Sequence, residues 1–219
     1  IEDFTRQIAE FLLKRDVKAL IIACNTMAAV AADVVRRVAG DVPVLDVIDA
    51  GARAAVAATQ SQGIAVIATP TTINSNAYAR AMHQLNPDVR VYSQACPLFV
   101  PLVEEGWLDH PVTLLTAQEY LKSVLVEEVD TLVLGCTHYP LIKPLLQQVA
   151  GDKMNIVDSA VTTAEATARR LGELGLLNPQ RTMPSYQYFV TDIPLRFQTI
   201  GERFLGRSIH KLEMVRLGA

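Results

Sequence analysis

The stretch from Thr131 to Pro140 reads TLVLGCTHYP, and it constrains this chain more than any other segment. An apolar, β-branched run stops at Gly135 and Cys136, then gives way to Thr137, His138 and a proline that can open a helix. Such a run is a buried strand, delivering Cys136 to its carboxyl end, where open α/β sheets bind their ligands. The same grammar recurs once, in ALIIACNTM around Cys24. Two strand-end cysteines, each followed by small hydrogen-bonding residues and a helix, predict one site with two thiols.

Strand and helix patterns alternate along the rest of the chain. Strands are expected near residues 17–23, 42–48, 64–68, 89–93, 131–135 and 155–157, with two more in the tail near 186–190 and 211–215. Helical spacing falls between them, with Asn25 and Thr26 as caps for a helix over 27–39 and a polar loop over 69–75. This alternation predicts an α/β fold with mainly parallel sheets. No Ser/Gly linker divides the chain, so any division between domains must come from the chain crossing between two sheets.

Composition excludes several classes of function. The formal net charge is −3 over 219 residues, and no basic stripe for nucleic acid is present. No apolar run reaches the length of a membrane span, and the start is no signal peptide. The three cysteines Cys24, Cys96 and Cys136 cannot all pair within one chain, and none lies in a C-x-x-C spacing. Free thiols point to a reducing compartment, the cytoplasm.

Several chemistries suit two strand-end thiols. Both cysteines can be small buried hydrophobes, as many free cysteines are. A disulfide remains open, whereas a metal site lacks companions, because only His138 is close and His83, His110 and His210 are scattered. A Cys-His nucleophile needs one cysteine, and here there are two equivalent ones. Inversion at a carbon without a cofactor needs two acid/base groups, one on each face. A free thiol has a pKa of about 8.5, so a thiolate at pH 7 costs roughly 2 kcal/mol. A helix N-terminus offsets about 0.3–2 kcal/mol of that, and both cysteines are expected to precede one. Asn25, Thr26, Thr137 and His138 add donors suited to a carboxylate, as do the hydroxyls of Thr69 and Thr72.

Cys24-Asn-Thr and the run from Leu134 to Pro140 resemble the two signature motifs of the glutamate racemases, within the aspartate/glutamate racemase superfamily. Their separation of 112 positions suits that family, as do the segments over 68–78, 95–104 and 202–206. The resemblance implies two similar α/β domains with the active site between them: residues 1–48 plus 156–219, and residues 49–155. It implies racemisation of glutamate with no cofactor and no metal, feeding D-glutamate to peptidoglycan, in a protein that can be a homodimer. It makes Cys24 and Cys136 the catalytic acid/base thiols, with His138 assisting Cys136. Asn25, Thr26, Thr69, Thr72, Thr137, His138 and Glu104 become substrate-site residues. The family carries an Asp-Ser-Gly strand and a Pro-Tyr-Gly loop ahead of its first cysteine, and only 23 residues precede Cys24 here. The chain is therefore read as N-terminally truncated, with an incomplete first domain and an exposed sheet edge. Alternatives within the same resemblance are an aspartate or hydantoin racemase, or a glutamate-binding fragment without turnover.

Plainer roles stand beside these. His138 can be a capping histidine, Glu104 one of a solvated pair with Glu105, and Thr69 and Thr72 mere helix caps. Cys96 is read as a buried hydrophobe, Trp107 and the phenylalanines as core, and the other histidines as surface residues.

Overall fold

The computed structural model describes residues 1–180 and 183–218. In chain order the elements are α1 (Glu2–Leu13), β1 (Leu20–Ile22), α2 (Asn25–Ala39), β2 (Val44–Asp46), α3 (Val47–Ala58), β3 (Gly63–Ala68), α4 (Pro70–Asn74) and α5 (Ala77–Leu85). They continue as β4 (Arg90–Ala95), α6 (Phe99–Glu104), α7 (Pro111–Leu125), β5 (Thr131–Gly135), a 3-10 turn (Tyr139–Ile142), α8 (Lys143–Ala150), β6 (Asn155–Asp158) and α9 (Ser159–Glu173). The tail adds β7 (Tyr188–Val190), α10 (Pro194–Leu205) and β8 (Leu212–Met214).

The central sheet has the order β4-β3-β5-β6, and β1-β2 and β7-β8 form two separate two-stranded sheets. Every pairing is parallel, as the alternation predicts. Successive residues of β3 point to opposite faces. Ile64 and Val66 join Val133 in a core beneath α3 and α5, while Ala65 and Ile67 join Leu132 and Leu134 in a second core beneath α7 and α8. Burial on both faces explains the uninterrupted apolar runs of β3 and β5.

Register sets the site. Ala95, Ala68 and Gly135 are Cα partners in one row, so β4, β3 and β5 end level and are followed by Cys96, Thr69 and Cys136. Gly135 makes this possible: a Cβ there would lie 2.9 Å from both the Ala68 Cβ and the Ile67 carbonyl oxygen, and 3.1 Å from the Tyr78 ring.

Several local expectations change. Asn25 and Thr26 lie inside the first turn of α2, and Cys24 is its N-cap. Residues 70–74 form a short helix rather than a loop, because Thr69 caps it and Pro70 fits its first position. The strand expected over 42–48 stops at Asp46, whose carboxylate accepts from the Ile48 and Asp49 amides and starts α3. Trp107 is 42% exposed and stacks on His110, and Phe4 and Phe197 are also exposed, so none of these is core.

At the opposite end of the sheet, Asp130 ties the loop before β3. Its carboxylate accepts from the Thr59 hydroxyl at 2.6 Å, the Gln60 and Ser61 amides at 2.7 Å, and the Thr131 hydroxyl at 2.9 Å. Burial raises its pKa, but these four bonds outweigh burial and carry it from the ordinary 3.8 down to about 2. Between those values the unfolded chain binds a proton that the folded chain does not, so this stability is lost as pH falls through the window. Asp130→Asn should destabilise the fold by about 1–2 kcal/mol at neutral pH and flatten its acid limb, read by chemical denaturation across pH. Gly135→Ala should cost about 1–3 kcal/mol in the same measurement, because backbone and ring must both give way.

Candidate functional site

Cys24 has extended backbone angles (φ −81°, ψ 119°), and its carbonyl accepts the first helical bond, from the Ala28 amide at 2.9 Å. No side-chain bond caps α2, so the first-turn amides face outward without intrahelical partners. Cys24 thus stands where an anion is favoured by the helix terminus.

Across from it, Thr26 of α2 reaches the residues that follow β3. Its hydroxyl lies 2.9 Å from the Thr69 hydroxyl and 3.2 Å from that of Thr72, which are themselves 3.0 Å apart. This triangle of hydroxyls joins the β1-β2 half to the central sheet at the point where Cys136 emerges beside Thr69.

Cys136 is only 6% exposed. Burial raises its thiol most, and repulsion from a Cys24 thiolate adds to it. The His138 amide and the Thr137 hydroxyl and amide offset part, leaving the pKa at about 11. The sequence predicts a helix N-terminus favouring the thiolate at both cysteines. Only Cys24 has one, because a 3-10 turn follows Cys136, and burial wins there.

His138 connects Cys136 to an acid. Its Nε2 lies 3.1 Å from Glu104 Oε1, and its Nδ1 lies 3.8 Å from Cys136 Sγ and 3.4 Å from the Thr137 hydroxyl. An ionised carboxylate only accepts, so Nε2 donates to Glu104, and Nδ1 is the ring nitrogen that faces the thiol. Glu104 is therefore bound to His138, not one of a merely solvated pair. Thr137 itself is exposed at the margin.

Asn25 behaves differently from its neighbours. It is 2% exposed, and its Oδ1 accepts from the Tyr78 hydroxyl at 2.7 Å. Its Nδ2 is a buried donor without a partner among the described residues. The side chain is thus turned inward, and the main-chain amide is the donor on offer. Tyr78, which packs against Gly51 and Gly135, is held protonated chiefly by burial, with the nearby Asp46 carboxylate adding to it. Two clefts of about 870 and 900 Å³ flank this region, one between α3 and α9 and one beneath α10. His138 and Glu104 border the second, and neither Cys24 nor Cys136 lines either.

Cys24, Cys96 and Cys136 are all free thiols. Cys96 is fully buried, its pKa raised by burial alone. Among the described residues, no cluster of His, Cys, Asp or Glu could hold a metal ion, and no helix is long and apolar enough to cross a membrane. Sequence reasoning missed Arg196, and it marked Arg203 and Phe204 only as part of a family-like tail; all three reach Glu104 or His138 from α10. No local pattern signals these contacts.

The sequence and fold both have known relatives. A family profile described as Asp/Glu/Hydantoin racemase matches residues 2–167. A glutamate racemase of Syntrophus aciditrophicus is 64% identical over 217 residues, covering 99% of this chain and 80% of that protein. The crystal structure of glutamate racemase from Francisella tularensis in complex with D-glutamate superposes with a TM-score of 0.91 at 41% identity, over 98% of this chain and 80% of that one. A Bacillus anthracis glutamate racemase isoform gives a TM-score of 0.92 at 36% identity, with the same coverage. With the two cysteine motifs at adjoining sheet ends and relatives matched along nearly its whole length, the chain belongs to the Asp/Glu/Hydantoin racemase family.

Proposed function

We propose that this chain interconverts L- and D-glutamate by transferring protons between the substrate α-carbon and two cysteines, Cys24 and Cys136. The observation that carries this reading is the bridge of Thr26 to Thr69 and Thr72, which joins the thiol at the start of α2 to the thiol at the end of β5. The names of the relatives, and the D-glutamate bound by the Francisella protein, support glutamate as the substrate.

One thiolate removes the α-proton from one face, leaving a planar carbanion, and the opposite thiol returns a proton to the other face. Direction of reaction decides which sulfur is base and which is acid. With its pKa at about 11, Cys136 rests as a thiol at neutral pH and is ready to act as acid. To act as base it must first release its proton, and His138 Nδ1, 3.8 Å away, is the acceptor. Glu104 then faces the imidazolium that forms.

The first-turn amides of α2 and the three threonine hydroxyls supply donors for the substrate carboxylates. The substrate lies at the joint between residues 49–155 and the remainder, held by Asn25 and Thr26 on one side and by Thr69, Thr72, Thr137 and His138 on the other. D-glutamate made this way would enter peptidoglycan synthesis in the cytoplasm, where free thiols persist.

Cys24→Ala and Cys136→Ala should each lower racemisation by about 10²-fold or more, measured by circular dichroism from either enantiomer. The far-ultraviolet spectrum of each should match the wild type. Near-normal turnover in either variant contradicts the two-thiol assignment.

A further inference from the structure

No residue of α10 is fully buried, yet three of its side chains converge on Glu104 and His138. Arg196 donates to Glu104 Oε2 at 3.0 Å. Arg203, two turns further along the helix, donates to the Glu104 carbonyl at 2.8 Å. Phe204 stands edge-on to the His138 ring, with centroids 5.3 Å apart and planes at 85°. Gly106 leaves room for this approach: its φ is +80°, and a Cβ there would lie 2.9 Å from the Arg203 guanidinium.

These contacts engage both carboxylate oxygens and the main-chain carbonyl of Glu104. Oε1 accepts from His138, Oε2 accepts from Arg196, and the main-chain carbonyl is held by Arg203. Release of Oε2 would let the carboxylate rotate about its own side chain. Among the described residues nothing else holds Oε2, and His138 would then lose the acceptor that keeps its proton on Nε2.

We infer that Arg196 is a positioning residue for racemisation: by holding Glu104 Oε2 it keeps Oε1 on His138 and Nδ1 facing Cys136. The inference rests on the reading of Cys136 and His138 as a proton-transfer pair. Arg196 reaches no reacting atom and acts only through Glu104. When Cys136 acts as base, its proton passes from Sγ to Nδ1 and the thiolate becomes a thiol again by taking the α-proton; His138 then releases its extra proton to solvent, and Cys24, having given its proton to the substrate, regains one from solvent. The Arg196 side chain is 73% exposed, so solvent screens the pair and the expected effect is moderate.

The test compares steady-state racemisation of L- and D-glutamate by the wild type, Arg196→Ala, Arg196→Lys, Glu104→Gln and Arg196→Ala/Glu104→Gln. Arg196→Ala should lower kcat about twofold to fivefold with KM nearly unchanged, and Arg196→Lys should restore most of the loss. In the Glu104→Gln background, Arg196→Ala should cause no further loss, because the route through the carboxylate is already broken. A purely structural role predicts the same loss in both backgrounds and a lowered melting temperature, and that result would overturn the inference. Wild-type kcat in Arg196→Ala beside an inactive Cys136→Ala overturns the positioning role alone. Full activity in Cys136→Ala removes the underlying reading, and this inference with it.

Discussion

Three parallel strands end in a single row, Ala95-Ala68-Gly135, and the chemistry of this chain depends on that row. Parallel pairing fixes which residues leave the sheet together, so Thr69 and Cys136 emerge side by side as a consequence of register. A one-residue slip would turn Cys136 toward the opposite face. Gly135 secures the register at its tightest point, since β3, β5 and the Tyr78 ring meet where a side chain would otherwise stand. Tyr78 then reaches Asn25 on α2, so the same contact also fixes the segment that carries Cys24.

The two thiols are alike in sequence and unlike in environment. Cys24 is partly exposed at a helix start, where amide dipoles favour negative charge. Cys136 is buried, lacks an α-helix directly behind it, and is supplied instead with a histidine and a carboxylate. Under the proposed mechanism, a helix terminus on one side and an imidazole–carboxylate pair on the other would be two physical solutions to one problem, namely holding a proton that must leave and return near neutral pH.

Much of this was legible in the residues. The apolar runs ending at Cys24 and Cys136 identified both strand ends: β5 is buried on two faces and so leaves an unbroken hydrophobic signature, and β1 carries the same run although Ile21 on its outer face is exposed. The resemblance of the two cysteine motifs identified the family before any geometry was known. Other features were hidden for definite reasons. Asn25 reads as an exposed cap until its partner, Tyr78, is brought in from 53 positions away. The raised pKa of Cys136 comes from burial, which local sequence does not record, and it opposes the helix effect expected there. Arg196 lies 92 positions from Glu104 on a surface helix, where an arginine has no distinguishing mark. Trp107 reads as core because hydrophobicity alone does not distinguish a ring that stacks on a surface histidine.

The central claim is that protons enter and leave the α-carbon from opposite sides through different sulfurs. Racemisation followed by circular dichroism in deuterated water tests it most directly. Thiols exchange with solvent, so each inverted molecule should carry deuterium from its first turnover. Its slower return should carry the optical signal past zero before equilibrium, from either enantiomer. Product that retains the substrate's own proton, with a signal that decays to zero without crossing it, would mean that a single group serves both faces and would contradict the account.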